Sequence, residues 1–419
     1  MVEAENEQYN EDELCAPDWM DKKYFEKLLR DTNTDESIEV VNLVLKPGSK
    51  AGDHYASIMF RAAINYNTKN EQNLEKSLMI KTMPFVDGPK KEMLEGMNMF
   101  DIEIKMYKEV IPKFEKMLKE IGDNTQLSGK CLHSSSEPYE VLVFEDLSKD
   151  NYKTVTTWGG NLEISKGAIE KLAKWHALSF KMVSDGNTNL QTFTKNGFTD
   201  GNMLETPTFK YGFKNFVDMI KREPELQQYS SKFEKIVSGD PFAESLSVYR
   251  AFVRNEKASL FVLNHGDFHI KNLMFKGEDD GKVDDVRLVD FQMCIWGPAV
   301  IDLTYMLYMM MDEERIPRRQ EMIHYYFEIF SDTLKKLKYT GEFPKLADIY
   351  KDFITYRNFE LFMLTTVLPL IIAIKEDPLM DIGAVLHGDE AGKALYEIEA
   401  YVNYVKKVLP SFLHNGYLD

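Results

Sequence analysis

The feature that most constrains this chain is a pair of short motifs, LNHGDFHIKNLMF at residues 263–275 and VRLVDFQ at residues 286–292. Asp267 and Asn272 belong to the first motif, and Asp290 follows an apolar run in the second. A lone His-x-Asp triplet carries little information. The same triplet followed by an asparagine, a second β-type run and Asp-Phe is a specific combination, so the fold must bring the two motifs together.

The two motifs predict a β-hairpin. Asn272–Phe275 and Val286–Phe291 are β-type runs, and the polar segment KGEDDGKVDD separates them. Antiparallel pairing of these runs places Asn272 and Asp290 at the same end of the hairpin, although they are far apart in the sequence.

These side chains match the needs of phosphoryl transfer from ATP. A carboxylate must orient the attacking hydroxyl and accept its proton, and oxygen ligands must hold the Mg²⁺ that neutralises the phosphates. Asp267, Asn272 and Asp290 supply this set. The interval between Asp267 and Asn272 is also that of the kinase catalytic loop.

A lysine on an apolar strand is the next candidate. Lys81 lies in the run LMIKT, the environment in which a kinase lysine reaches the α- and β-phosphates. Glu103, in the segment FDIEIKMY, is the predicted partner that holds this lysine in place. An ordinary edge lysine is the alternative for Lys81, and Glu92 and Glu95 are competitors for the role of Glu103.

Two further segments are candidates for nucleotide contacts. The loop KPGSKAGDHYAS contains Gly48 and Gly52, which allow the backbone to approach phosphates, and Ser57 as a further donor. A plain hairpin turn explains each glycine equally well. Where the strand Glu140–Leu147 ends, the carbonyl of Glu145 and the N–H of Leu147 are placed to hydrogen-bond adenine.

The remaining pattern predicts an α+β, two-lobed protein-kinase-like fold, with a small antiparallel β lobe that carries one helix and a larger, mostly helical lobe. We expect an N-terminal tail and helix over residues 1–30, an ATP-binding lobe over 31–147, and a catalytic and acceptor-binding lobe over 148–419. The supporting segments are strands at Ile38–Leu45, Ser57–Tyr66 and Ser77–Thr82, and helices at Trp19–Leu29, Glu92–Leu118 with a break near Pro112, Ile164–Met182 and Pro207–Val237.

The composition limits the classes of binding partner and the compartment that we expect for this protein. The net charge of −17 argues against nucleic acid or an anionic membrane as the main partner. The three cysteines, Cys15, Cys131 and Cys294, are far apart, which favours a reducing compartment, and we expect a cytoplasmic protein. The apolar run Leu361–Ile374 is shorter than the ~20 residues that span a bilayer. Nothing in the sequence predicts the oligomeric state.

Three polar or aromatic residues are interpreted as structural. Trp175 and His176 lie in the apolar helical pattern LAKWHALSF, which favours packing over catalysis. Asp302, in GPAVIDLTYML, is expected to begin a helix, to hydrogen-bond backbone amides and to brace the catalytic loop.

Together these segments resemble the ecdysteroid-kinase-like family of insects, within the aminoglycoside-phosphotransferase and choline-kinase superfamily. The likeness covers nearly the whole chain and includes IKTMP, VLVFEDL, HGDFHIKNLMF and VDFQMCIWGPAVIDLTYML. It implies ATP, Mg²⁺ and a small alcohol substrate, with Asp267 as catalytic base and Asn272 and Asp290 as metal ligands. It also implies that Lys81 and Glu103 position the nucleotide. His269 departs from many insect members, which carry Trp there.

Three other functions compete with this one. A protein kinase is disfavoured because Gly266 and Gln292 replace its Arg and Gly, and because the interval from Asp290 to Asp302 leaves no room for an activation loop. A non-catalytic pseudokinase is disfavoured because no catalytic residue is missing. Choline or ethanolamine kinase activity remains the nearest alternative to a steroid acceptor such as an ecdysteroid.

We expect the acceptor pocket to be shaped by parts of the helical lobe outside the kinase core. Residues 207–250 and 359–374 are rich in Phe, Met, Leu and Ile. Apolar walls favour a lipophilic alcohol, because each Å² of apolar surface removed from water contributes roughly 25 cal/mol.

Overall fold

The structure is a computed structural model of the chain. It describes residues 14–48, 57–85, 91, 98–154, 162–200, 207–256, 260–277, 282–310, 318–377, 380, 385 and 388–419. The chain forms two compact units. The first comprises Met1–Pro112 and Ser128–Lys153, and the second comprises Lys113–Leu127 and Thr154–Asp419. The N-terminal helix therefore lies in the first unit, and Lys113–Leu127 lies in the second.

The first unit contains a five-stranded antiparallel sheet in the order β1-β2-β3-β5-β4. Its strands are β1 Glu39–Pro47, β2 Ile58–Asn67, β3 Leu74–Thr82, β4 Cys131–Ser135 and β5 Val141–Glu145. The sequence predicted all of these except β4. No residue of β4 is fully buried, so the strand lacks the apolar alternation that marks the others.

Helix α1, Lys22–Asn33, covers one face of this sheet. The side chain of Asp21 caps the helix by accepting a hydrogen bond from the N–H of Tyr24 at 2.8 Å. Phe25, Leu28 and Leu29 then fall on one side of the helix and pack into the core of the sheet. That core also contains alternate residues of the strands, including Ile58, Phe60, Leu78, Ile80, Val141 and Val143.

The predicted break at Pro112 is wrong, because the helix continues through this position. Helix α2, Met99–Lys105, leads into a π-helical turn over Met106–Val110 and then into α3, Ile111–Glu120. Proline lacks an N–H, and its ring clashes with the carbonyl four residues earlier in a regular α-helix. The wider turn just before Pro112 gives the ring room, so the chain stays helical.

The second unit is mostly helical. The single helix predicted over Pro207–Val237 is two helices, because Pro224 follows Glu223 and the residue before a proline leaves the α region. The helices after α3 are α4 Leu162–Ser184, α5 Gly197–Asp200, α6 Pro207–Arg222, α7 Ser230–Val237, α8 Pro241–Ser245, α9 Val300–Met309, α10 Arg319–Lys336, α11 Leu346–Thr355, α12 Arg357–Phe362, α13 Leu368–Glu376, α14 Asp389–Ala394 and α15 Glu399–His414.

Short strands hold the two sequence motifs in place within this unit. The two-residue strand β6, Lys153–Thr154, lies at the boundary of the units. Strand β7, Phe261–Asn264, leads into the first motif and pairs with β10, Ile295–Pro298, which follows the second motif. Strands β8, Leu273–Gly277, and β9, Val283–Leu288, form the predicted hairpin.

One apolar helical stretch is long enough to cross a bilayer. Arg357–Glu376 has the required length and composition, and 78% of its most apolar window is buried inside the protein. It is the one candidate within the described residues, and such burial is typical of a core helix.

Trp175 forms the centre of the core beneath the two motifs. This fully buried side chain stacks on Phe291 with ring centroids 5.2 Å apart and meets the edge of Phe114 at 5.1 Å. Its indole N–H donates to the carbonyl of Leu263 at 2.7 Å. Trp175 therefore packs and bonds against the strand that precedes one motif and the residue that follows Asp290, as its apolar pattern predicted.

We predict that Trp175→Ala lowers the free energy of unfolding by about 3–5 kcal/mol, because it removes a buried aromatic side chain and leaves a cavity. Urea denaturation measures this loss. Val253→Ala is the control, since Val253 is 65% exposed and its truncation should change stability by less than about 0.5 kcal/mol. Similar losses in the two variants would contradict the central position of Trp175.

Candidate active site

The turn between β7 and Asp267 requires glycine. Gly266 has a φ of +81°, in the left-handed region, and a Cβ at this position would lie 2.0 Å from the carbonyl oxygen of Met293. Both the conformation and the close approach exclude a larger residue. The first motif therefore closely approaches the backbone just after the second motif, at the residue that precedes Asp267.

A buried carboxylate holds this turn. Asp302, in the first turn of α9, is fully buried and accepts hydrogen bonds from the N–H of His265 at 2.6 Å and of Gly266 at 2.9 Å. The bracing predicted for Asp302 is thus present. Helix capping is not, because the bonded amides belong to the loop and not to α9.

His176 completes the support of Asp302. Its Nε2 lies 3.1 Å from Oδ2 of Asp302, and its Nδ1 lies 2.7 Å from the hydroxyl of Tyr326. With Nε2 donating to the carboxylate, Nδ1 accepts from the tyrosine. The sequence placed His176 in a packed helix, but nothing in it indicated this bond, since its partners come from α9 and α10.

Asp267 lies at the end of the turn and is held by two neighbours. The amide Nδ2 of Asn272 donates to the backbone carbonyl of Asp267 at 2.9 Å and to its Oδ2 at 3.0 Å. The Nε2 of His269 lies 3.3 Å from the same Oδ2. Because the NH₂ group of Asn272 faces Asp267, its amide oxygen is the atom left to face a cation.

The surroundings keep Asp267 ionised. Burial raises the pKa of this carboxyl, but the charges of His269 and His265 and the hydrogen bonds from His269 and Asn272 lower it further, so the pKa lies below its usual value. The effects on His269 have the opposite sign. Burial lowers the pKa of its ring, but Asp267 raises this pKa further, so it lies above the usual value. Near neutral pH the group is a carboxylate that can accept a hydrogen bond.

Asp290 is brought beside Asn272 by the hairpin. Leu273 pairs with Leu288, and the N–H of Val289 donates to the carbonyl of Asn272 at 3.1 Å. Asp290 then has a φ of +67°, an uncommon conformation for a residue with a side chain and one found often at functional sites. Its Oδ2 accepts from Nε2 of Gln292 at 3.3 Å.

These oxygens fit a magnesium ion. Asn272 offers an amide oxygen and Asp290 a carboxylate, the hard ligands that Mg²⁺ prefers. Across the described ranges no group of three or more His, Cys, Asp or Glu residues is arranged to hold a metal. Mg²⁺ bound by one or two protein ligands takes its remaining ligands from phosphates and water, which is its usual mode in ATP-dependent enzymes.

In the first unit, Lys81 and Glu103 form a buried ion pair. The Nζ of Lys81 lies 2.6 Å from Oε2 of Glu103, and the two side chains are 5% and 1% exposed. Strand β3 pairs on both sides, so Lys81 is not an edge lysine. Ile80 points into the core under α1, and alternation along the strand directs Lys81 to the other face. Glu92 and Glu95 lie outside the described residues.

The other predicted nucleotide contacts fall at strand ends. Gly48 donates its N–H to the carbonyl of Met59 at 2.7 Å, and a Cβ there would lie 2.9 Å from the same backbone. Ser57 is buried just before β2, and Gly52 lies outside the described residues. Glu145 ends β5, and Leu147 begins a 3₁₀ turn over Leu147–Asp150.

Asp146, between these two residues, was missed by the sequence reasoning. Its Oδ2 accepts from the hydroxyl of Ser77 at 2.6 Å and lies 3.0 Å from Nε of Arg61. Burial raises the pKa of Asp146, but bonds from Ser77 and Ser148 and the charge of Arg61 lower it below the usual value. This carboxylate ties the end of β5 to β2 and β3. The pair of acidic residues after VLVF was its only signal in the sequence.

Comparison with models of protein families matches residues 51–339 to the ecdysteroid kinase-like family. The chain belongs to this family. The matched range contains Lys81, Glu103, Asp267, Asn272 and Asp290. Membership confirms the predicted resemblance, places the chain in a family of small-molecule phosphotransferases, and accords with the protein-kinase-like α+β fold predicted from the sequence.

Solved structures similar to this family member are remote in sequence. Spectinomycin phosphotransferase APH(9)-Ia, solved with ADP and spectinomycin, is 12% identical with a TM-score of 0.42, over 93% of this chain and 99% of that one. An ethanolamine kinase of Plasmodium vivax is 11% identical with a TM-score of 0.39, over 94% and 92%. Macrolide 2'-phosphotransferase MphH of Brachybacterium faecium is 11% identical with a TM-score of 0.37, over 90% and 98%. A search of curated proteins found no match.

We predict that Gly266→Ala destabilises the protein more than Gly122→Ala does. Gly122 has a similar φ of +80°, but a Cβ there meets nothing within 4 Å. Both variants carry backbone strain of about 1–3 kcal/mol, and only Gly266→Ala adds the clash with Met293. Urea denaturation of the two variants isolates the clash, and equal losses would contradict it.

Proposed function

We propose that this protein is an ATP-dependent small-molecule kinase that transfers the γ-phosphoryl group to a hydroxyl of a lipophilic alcohol, such as an ecdysteroid or a related steroid or xenobiotic. The observation that carries this proposal is the arrangement of Asp267, Asn272 and Asp290, whose carboxylate and amide groups come together at one end of the hairpin. The family match supports the same reading.

In this proposal Lys81, oriented by Glu103, binds the α- and β-phosphates of ATP. Gly48 and Gly52, with Ser57, line the phosphates with backbone and hydroxyl donors, and the backbone of Glu145 and Leu147 holds adenine. The oxygens of Asn272 and Asp290 hold Mg²⁺, which when bound neutralises charge on the phosphates.

Asp267 then acts on the acceptor. Its carboxylate accepts a hydrogen bond from the acceptor hydroxyl and points the oxygen at the γ-phosphorus. The acceptor oxygen bonds to phosphorus while the bond to the bridging oxygen of ADP breaks. The hydroxyl proton passes to Asp267 late in the step, as suits a carboxyl whose pKa is low.

An aromatic cluster beside the catalytic loop supports a lipophilic acceptor. Phe198 stacks on Tyr249 at 5.2 Å, and Tyr249 meets the edge of Phe359 at 5.4 Å. The chain just before Phe198 is tied to the segment that follows Asp290, because Nδ2 of Asn196 donates to the carbonyl of Met293 at 3.2 Å. These rings come largely from the segments expected to shape the acceptor pocket.

The same rings favour one alternative. Aromatic faces also attract quaternary ammonium groups, so a choline- or ethanolamine-type kinase is the second candidate. A pseudokinase that binds ligands without turnover is the third.

None of the three cysteines forms a disulfide, which supports the cytoplasmic location that we propose.

We predict that the purified protein phosphorylates ecdysone with a higher kcat/KM than choline, ethanolamine or kanamycin. ADP release and product mass measure the reaction. Asp267→Asn should lower turnover by about 100- to 10,000-fold while ATP affinity stays close to that of the wild type. Preference for choline would replace the lipophilic acceptor, and retention of more than about a tenth of turnover by Asp267→Asn would reject its role.

We also predict that Asp290→Ala weakens the binding of Mg·ATP much more than the binding of metal-free ATP, because the carboxylate acts through the cation. Calorimetric titration with and without Mg²⁺ measures both affinities. Asp284→Ala is the matched control, since this carboxylate lies on the same hairpin with its side chain 51% exposed. Equal losses in the two titrations would exclude a ligand role for Asp290.

A further inference from the structure

Tyr249 lies beside the strand that leads to the catalytic loop. It belongs to the 3₁₀ turn Leu246–Arg250, which packs against β10. Strand β10 pairs with β7, so that Ile295 lies opposite Asn264, the last residue before the loop. The turn therefore packs against the strand that pairs with β7, the strand that leads to Asp267.

The surroundings of Tyr249 connect it to the same loop. Its ring lies between Phe198 and Phe359, at 5.2 Å and 5.4 Å. Tyr305 follows Asp302 by one helical turn of α9, so it occupies the same helix face as the carboxylate that holds the loop. Burial raises the pKa of Tyr249 well above its usual value; the neighbouring Tyr305 hydroxyl lowers it in part, and the carboxylates of Asp302 and Asp267 raise it further. The hydroxyl of Tyr249 therefore stays protonated and able to donate.

The hydroxyl of Tyr249 is buried and makes no hydrogen bond of normal geometry among the described residues. The hydroxyl of Tyr305 lies close to it. A hydroxyl that accepts from a neighbouring phenol still has its own O–H to donate. A buried hydroxyl left unpaired lowers stability and calls for a functional explanation.

Other buried tyrosines of the second unit use their hydroxyls inside the protein. Tyr326 bonds to His176 at 2.7 Å, and three more donate to a carboxylate or a backbone carbonyl at 2.8 or 2.9 Å: Tyr308 to Glu360, Tyr396 to Thr365 and Tyr401 to Leu364. Tyr249 differs from all four, and it is the one in contact with the aromatic cluster at the catalytic loop.

We infer that the hydroxyl of Tyr249 donates a hydrogen bond to an oxygen of the acceptor alcohol, and that this bond helps to set acceptor specificity. The inference rests on the proposed kinase function. The rings of Phe198 and Phe359 cover the apolar part of the acceptor, and the hydroxyl binds its oxygen. An acceptor without an oxygen in reach leaves this donor unpaired, which costs affinity.

The first test compares Tyr249→Phe with Tyr326→Phe in the ligand-free protein. If the hydroxyl of Tyr249 is unpaired, its removal leaves the melting temperature unchanged or raises it by about 2–4 °C. Tyr326→Phe removes a hydroxyl that is bonded to His176, and it should lower the melting temperature by a similar amount. A fall for Tyr249→Phe equal to that for Tyr326→Phe shows a structural bond and overturns the inference.

The second test measures acceptor kinetics with ecdysone, or with the best acceptor of the panel above. Tyr249→Phe should raise KM for the acceptor about tenfold, with the affinity for Mg·ATP unchanged. An unchanged KM overturns the inference and leaves the kinase function standing. If the wild type phosphorylates no compound of the panel, the proposed function fails, and the melting temperatures alone decide whether Tyr249 is unpaired.

Discussion

The arrangement around Asp267 depends on the hydrogen bonds of one buried carboxylate, that of Asp302. A buried charge is costly unless several donors surround it, and here the N–H groups of His265 and Gly266 and the ring of His176 all point to it. These bonds fix the two residues before Asp267 from one side. On the other side, Gly266 touches the backbone of Met293. The turn before Asp267 is therefore held from two sides.

The same constraint explains why unusual backbone conformations occur at this place. Gly266 and Asp290 both have positive φ values. The residue before each is held through its N–H, which bonds to Asp302 in the case of His265 and to the carbonyl of Asn272 in the case of Val289. The ring of His265 links the two motifs, because its Nε2 bonds to the carbonyl of Val289 at 3.1 Å. Burial lowers the pKa of this ring. Packing of Trp175 beneath Phe291 supports both motifs at once. Rigid surroundings thus compensate for local strain.

The sequence predicted the parts of this arrangement that follow from apolar periodicity and motif spacing. Apolar periodicity marks strands β1, β2, β3 and β5 and the hairpin of β8 and β9. Motif spacing indicated the pairing of Lys81 with Glu103. Strand β4 leaves none, because none of its residues is fully buried. The short strands β7 and β10 and the bonds of Asp146 and His176 depend on residues far away in the chain. No local pattern encodes those contacts, and only the folded chain reveals them.

The path of the chain through the two units has a consequence for its evolution. Lys113–Leu127 belongs to the second unit, although the residues on both sides of it belong to the first. Phe114, Leu118 and Leu127 are fully buried, and Phe114 packs on Trp175. Genetic recombination at a single point between two relatives would therefore separate this segment from the core that it fills. Exchange of residues 1–153 between family members would bring a foreign copy of this segment into the second unit, and Phe114 would then have to fit the new surroundings of Trp175.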